Sequence, residues 1–65
     1  MERWMEFARE AVDRHLGDLC PETPEEISEE VYVLAFDALR DEGVSQEDAG
    51  TVASILADQY VGEAA

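Results

Sequence analysis

Lysine is absent from this 65-residue chain, and basic residues are few. The four cations are all arginine and stand against 17 Asp and Glu, so the formal net charge at pH 7 is −13. Nucleic acids and anionic lipid surfaces attract proteins through basic faces. With this charge balance we expect no direct binding to DNA, RNA or a membrane surface. The arginines are Arg3, Arg9, Arg14 and Arg40.

Cysteine occurs once, at Cys20, so no disulfide forms within the chain. Cys20 precedes a proline and has no cationic neighbour to activate it, and we interpret it as an unreactive thiol. The longest apolar run, residues 31–36, is too short to span a bilayer. Residues 1–6 have neither the basic nor the apolar region of a signal peptide. These features predict a protein of the reducing cytoplasm.

Catalytic and cofactor-binding motifs are also missing. The chain contains no phosphate-binding glycine loop and no Ser, His and Asp set of recognisable spacing. His15 is the single histidine and has no second ligand nearby, so we interpret it as a packed, hydrogen-bonded rim residue. Asp37, Asp41 and Gly43 do not have the spacing of a calcium-binding loop. We expect a protein that is not an enzyme, with no catalytic residue, no cofactor and no metal site.

The chain does contain helical periodicity, in three segments. Apolar residues recur at helical spacing over residues 2–17, 24–42 and 46–61. A chain of this length has room for one small core. We predict a single acidic helical domain over residues 1–65. Its fold class is all-α, a small antiparallel three-helix bundle with the middle helix packed between the other two.

The helix boundaries have recognisable signals. Thr23 is the predicted N-cap of the middle helix, Pro24 occupies its first position, and Glu26 completes a capping box. Gly43 supplies the left-handed residue that ends this helix. Ser45 is the predicted N-cap of the third helix. Short turns then make consecutive helices neighbours.

The predicted core follows from the arcs that apolar residues occupy at 100° per residue. With Trp4 in this core, Trp4→Ala is expected to cost roughly 3 kcal/mol. Small residues at positions 50, 54, 57 and 61 predict close approach of another helix, either the first helix or a second copy. The core residues are Trp4, Met5, Ala8, Val12, Leu16 and Leu19; Ile27, Val31, Tyr32, Leu34, Ala35, Ala38 and Leu39; and Ala49, Val52, Ala53, Leu56, Ala57 and Tyr60.

Three apolar side chains fall outside these arcs. Val33 and Phe36 lie on the side of the middle helix that its two neighbours cannot cover, and Phe7 lies at the rim of the first helix. We predict that Val33, Phe36 and Phe7 form an apolar contact patch. For Phe7 the alternative is a rim residue covered by arginine stems. Residues 31–36 also suit a β-strand, but the capping box at position 23 favours a helix.

Acidic residues concentrate in the middle third of the chain. Residues 21–43 carry eight acids against one arginine, a net charge of −7. Residues 31–56 have the outline of a helix-turn-helix, but the second helix has no Lys or Arg, which excludes DNA binding by it. An acidic surface of this kind steers association with a basic partner. The predicted partner-binding acidic face comprises Glu25, Glu26, Glu29, Glu30, Asp37, Asp41, Glu42, Glu47 and Asp48.

These features predict a small module that docks on a basic surface of a partner protein. In its sharpest form, the acidic face mimics nucleic acid and inhibits a nucleic-acid-binding protein; in composition alone the chain resembles small acidic inhibitors of phages and mobile elements. One alternative is a protein adapted to high salt. Another is a subunit or antitoxin-like protein that works through the apolar patch, as a homodimer or in a complex. Clustering of the acids favours a directed surface over uniform adaptation.

Overall fold

Three α-helices follow one another along the chain: α1, Glu2–Leu19; α2, Pro24–Asp41; and α3, Gln46–Ala64. In this computed structural model the backbone is described for residues 2–19 and 23–64, and the side chains for residues 3–15 and 23–63. The described residues contain no strand, and residues 31–36 are helical. The predicted all-α three-helix bundle is therefore confirmed.

The helix ends differ from prediction more than the helix starts do. α1 continues two residues beyond position 17, and α3 continues to Ala64 where position 61 was expected. α2 ends at Asp41, one residue early, with Glu42 as its C-cap. Side chains that cap the N-termini fix where α2 and α3 begin. No proline follows position 61, and the one glycine there costs a helix only about 1 kcal/mol, so α3 continues.

Both predicted N-caps are confirmed. The Oγ1 of Thr23 accepts a hydrogen bond from the backbone N–H of Glu26 at 3.2 Å, and Pro24 stands in the first turn. The Oγ of Ser45 accepts in the same way from the backbone N–H of Asp48 at 3.2 Å. Each bond satisfies an N–H group that a helix start leaves without a partner.

Gly43 closes α2 in a backbone conformation that other residues rarely adopt. Its φ is +91°, and its N–H donates to the carbonyl of Arg40 at 3.0 Å. The next N–H, of Val44, donates to the carbonyl of Leu39 at 3.0 Å. These bonds satisfy carbonyls at the end of α2 and turn the chain sharply into α3.

Gly43→Ala is expected to destabilise the fold by about 1 kcal/mol, because a Cβ disfavours positive φ. No atom lies within 4 Å of an added Cβ, so backbone strain alone causes the loss. Gly62→Ala is the matched control, since its Cβ also meets nothing within 4 Å but its backbone is helical. That substitution should stabilise by up to about 1 kcal/mol. Urea unfolding followed by circular dichroism measures both; changes of the same sign would contradict the assignment.

The core lies where the three helices meet. The interface between α2 and α3 is the most extensive, α1 packs chiefly on α2, and α1 touches α3 least. The middle helix thus lies between the other two, as predicted. All six core residues predicted for α3 are buried. The buried apolar residues are Ala8, Val12, Val31, Ala35, Leu39, Val44, Ala49, Val52, Ala53, Leu56, Ala57 and Tyr60.

Two residues predicted for the core are exposed. Trp4 exposes 37% of its surface and Tyr32 exposes 40%. Trp4 lies at the groove between α1 and α2, beside Phe7. The expected cost of roughly 3 kcal/mol for Trp4→Ala therefore loses its basis, because water already reaches the indole. The side chains of Leu16 and Leu19, and all of Cys20, lie outside the described residues.

Candidate protein-binding surface

The acidic face of α2 is open to solvent. Of the nine predicted residues, eight are exposed and Glu30 is half-buried. Glu47 and Asp48 lie in the first turn of α3, and the other seven lie on α2 or at its C-cap. Leaving Glu26 aside, none of these carboxylates has an ion-pair or hydrogen-bond partner among the described side chains. The negative charge of this surface is therefore available to another molecule.

Arg14 and Arg3 of α1 line grooves that Glu42 also borders, so the C-terminal end of the acidic face has arginines nearby. Arg40 donates from Nη1 to the carbonyl of Val44 at 3.0 Å, at the C-terminal end of α2 where a cation offsets the helix dipole. Arg9, on α1, lies 3.5 Å from the carboxylate of Glu63 and donates to the amide oxygen of Gln59. Among the described side chains, no ion pair joins an arginine to Glu25, Glu29 or Glu30.

The carboxylates of α2 fall into two groups that border different grooves. Glu25 and Glu29 border a groove between α2 and α3. Asp37 and Asp41 border a groove between α1 and α2, which His15 also lines. The two groups are about 120° apart around the helix, and Glu26, Val33 and Arg40 lie in the arc between them. His15 lies at the rim of the apolar surface, as predicted, but it is exposed and not packed.

The groove that Glu25 and Glu29 border also contains apolar residues, and its described lining comes from α2 and α3. Tyr32 stands at its middle and stacks on Phe36, with ring centroids 6.0 Å apart and planes 12° apart. The hydroxyl of Tyr32 lies 3.4 Å from the position that a Cβ on Gly50 would take. The hydroxyl of Tyr32 therefore packs over α3 at an ordinary van der Waals distance from this position. The apolar residues of this α2–α3 groove are Tyr32, Val33, Phe36, Ile55 and Val61.

The predicted apolar patch divides between the two grooves. Val33, 48% exposed, and Phe36, half-buried, border the α2–α3 groove. Phe7 is half-buried, packs against the core and lines the groove between α1 and α2. Phe7 therefore does not line the groove that Val33 and Phe36 border. Its position fits the alternative, a residue at the rim of the first helix.

Sequence periodicity did not identify the residues of α3 that line the α2–α3 groove. Ile55 is 39% exposed and lines it. The available signal was an isoleucine about 100° away from buried Leu56 around the helix, the same kind of signal that identified Val33. The small residues Gly50 and Ser54 line this groove too, so the expected ridge faces α2 and not α1.

A polar cluster around Tyr60 joins α1 to α3. The hydroxyl of Tyr60 donates to the carboxylate of Asp13 and lies 3.4 Å from the carbonyl oxygen of Arg9. The guanidinium carbon of Arg9 lies 5.2 Å from the centre of the Tyr60 ring, a cation–π contact. Burial, and then the hydrogen bond to Asp13, raise the pKa of Tyr60 above its ordinary value. Because α1 touches α3 least, this cluster fixes how the two helices meet.

Tyr60→Phe is expected to lower the free energy of unfolding by about 1 kcal/mol at pH 7, because the bond to Asp13 is lost while the ring contacts remain. The raised pKa favours the protonated phenol in the folded state. Its stabilising contribution is complete below about pH 10, the ordinary tyrosine value, and is lost as pH rises through the folded value.

Urea unfolding between roughly pH 9 and 12 checks this pH dependence, in a chain that has no lysine to titrate in the same range. Wild type should lose stability over the upper part of the range, and Tyr60→Phe should lose less. Tyr32→Phe, at an exposed tyrosine, should decline as wild type does. Identical pH profiles for wild type and Tyr60→Phe would contradict the role of this hydroxyl.

The remaining chemistry of the surface is limited. Among the described side chains, no group of three or more His, Cys, Asp and Glu is arranged to hold a metal ion. No helix in the described ranges combines the length and the apolar character that crossing a membrane requires. Comparisons with protein-family models, curated proteins and solved structures find no match to this chain. The acidic face and the α2–α3 groove are therefore the two candidate binding surfaces.

Proposed function

We propose that this chain is a non-catalytic binding module that docks the acidic face of α2 on a basic surface of a partner protein. The observation that carries the proposal is the exposed run of carboxylates along α2, which, leaving Glu26 aside, form no ion pair with a described side chain. A concentrated potential of one sign speeds encounter with a surface of the opposite sign and disfavours other partners.

The basic surface that fits best is one that ordinarily binds nucleic acid. The 18 residues of α2 span about 27 Å at 1.5 Å per residue. One strand of DNA presents about eight phosphates over that length. α2 and its C-cap carry seven carboxylates, a similar number. A row of Lys and Arg that follows a phosphate backbone is therefore matched by this helix, and the module acts as a competitive inhibitor of such a protein.

Charge substitutions on an immobilised chain test the docking face. Glu29→Gln with Glu30→Gln removes two charges beyond the first turn of α2, where they do not support the helix dipole. We expect this double variant to retain the basic partner from an extract of the source cell about tenfold less well than wild type at low salt. Glu6→Gln with Glu10→Gln, on α1, removes the same charge and should retain the partner as wild type does.

Salt and nucleic acid complete the test. Retention by wild type should fall steeply between about 50 and 200 mM salt, as it does for phosphate contacts. Added duplex DNA should release the same partner, because it competes for the same basic surface. Equal retention by the α1 and α2 double variants would contradict docking through α2. Retention that DNA leaves unchanged would contradict nucleic-acid mimicry and leave only a general protein-binding role.

A further inference from the structure

The α2–α3 groove presents apolar surface that no described residue of α1 covers. Tyr32, Val33 and Ile55 are exposed along it, and Tyr32 stacks on Phe36, which also lines the groove. Contiguous apolar surface of this kind marks a contact site more often than scattered residues do.

Acidic residues border the groove on both edges. Glu25 and Glu29 stand on the α2 edge, and Glu47 and Asp58 stand on the α3 edge. No arginine is among the described residues that line it. A molecule bound in the groove therefore contacts apolar side chains and lies close to the carboxylates that border them.

We propose that the α2–α3 groove binds an amphipathic α-helix of the partner protein, with apolar residues on its inner face and Lys or Arg along both flanks. This inference rests on the proposed function and names the element of the partner that docks. Helices satisfy their own backbone groups, so α2 and α3 offer no free edge to which an extended strand could add. A helix instead packs side chains into the groove between two others and needs no backbone bonds.

A second copy of the chain fits this groove less well. In a twofold pair the same residues from both copies face each other. The acidic edges, Glu25 and Glu29 with Glu47 and Asp58, would then meet like charges, which costs free energy. The net charge of −13 on each chain adds to that repulsion. A basic helix meets the same edges with opposite charge.

Two synthetic peptides of one composition serve as probes for the groove. Each has about 18 residues of Leu and Lys, roughly five helical turns. In the first peptide Leu recurs at helical spacing and forms one apolar face; in the second the same residues are shuffled so that Leu points in all directions. Calorimetric titration of the full chain at about 150 mM salt should give about tenfold tighter binding of the first peptide, because only its apolar face fills the groove.

Uncharged substitutions separate the groove from the acidic face. Ile55→Asn and Val33→Asn should each weaken binding of the first peptide about tenfold, since burial of one aliphatic side chain is lost. Neither should change binding of the shuffled peptide. Trp4→Asn is the matched control, because Trp4 is a similarly exposed apolar residue outside the groove, and it should leave both affinities unchanged. Circular dichroism must show wild-type helix content in every variant compared.

Three outcomes would overturn the inference. Equal affinities for the two peptides, both lost in the Glu29→Gln, Glu30→Gln double variant, would contradict helix binding in the groove. The proposed function would be unaffected by that result. Peptide binding that ignores those glutamates would count against the proposed function as well. A sedimentation mass of twice 7.2 kDa that falls to 7.2 kDa in Ile55→Asn would assign the groove to a second copy.

Discussion

Leu56→Ala should destabilise the protein by about 3–4 kcal/mol, a large part of its total stability. Leu56 is fully buried and is among the largest such side chains in the core. It lies on α3, and α3 forms the most extensive interface of the bundle with α2. Removing its branched end leaves a cavity that neighbours of limited size fill only in part. A domain of 65 residues has a free energy of unfolding of roughly 3–10 kcal/mol. Much of the isolated variant should therefore be unfolded at 25 °C.

Ile55→Ala is the matched control for that measurement. Ile55 is the preceding residue and has the same number of side-chain carbons, but it is 39% exposed. Its removal should cost at most about 1 kcal/mol, because water fills the space and alanine favours the helix. Trp4→Ala should fall between the two, at about 1 kcal/mol. Urea unfolding monitored by circular dichroism ranks the three variants; similar losses for Leu56→Ala and Ile55→Ala would contradict the position of the core.

Added salt should raise the melting temperature of the isolated chain. Acidic residues outnumber arginines 17 to 4, and, leaving Glu26 aside, no carboxylate of the acidic face forms an ion pair with a described side chain. Screening this repulsion should recover about 1–2 kcal/mol, which corresponds to roughly 5–15 °C in a domain of this size. Thermal melts at about 20 mM and 500 mM sodium chloride measure the rise. Glu29→Gln with Glu30→Gln should melt higher at low salt and respond less to added salt.

A melting temperature that falls with salt would show that specific pairs outweigh the general repulsion. The exposed pair of Arg9 and Glu63 is worth too little to reverse the sign, since such pairs contribute at most about 1 kcal/mol. The same melts examine adaptation to high salt. A chain that is unfolded in dilute buffer and folds only in molar salt would favour that alternative over a directed acidic surface.

The local chemistry of the chain was enough to predict the number of helices and two of their three N-caps. Thr23 and Ser45 act through short-range bonds to their own helices, so their roles do not depend on the rest of the fold. Gly43 was predictable for the same reason, because the turn needs positive φ at that residue. Helix ends without such residues were predicted poorly. The end of α3 depends on how far the helix propagates, which no single residue decides.

The orientation of helices around one another was the part that the sequence did not determine. Periodicity gives the arc that a residue occupies but not which neighbour lies opposite that arc. α1 packs chiefly on α2, and this leaves Trp4 exposed. Tyr32 lies beside the buried arc, yet it is 40% exposed and lines the α2–α3 groove. The exposure of most acidic residues needed less of this information, because unpaired carboxylates are rarely buried in a core.

Solution NMR of the chain, labelled with nitrogen-15 and bound to the partner retained in the charge-dependent capture, tests the docking face most directly. The largest amide shift changes should fall on residues 25–33 of α2, with a second set on residues 54–62 of α3 where the groove lies. Large changes confined to the outer face of α1, around Glu6 and Glu10, with residues 25–33 unchanged, would contradict the account.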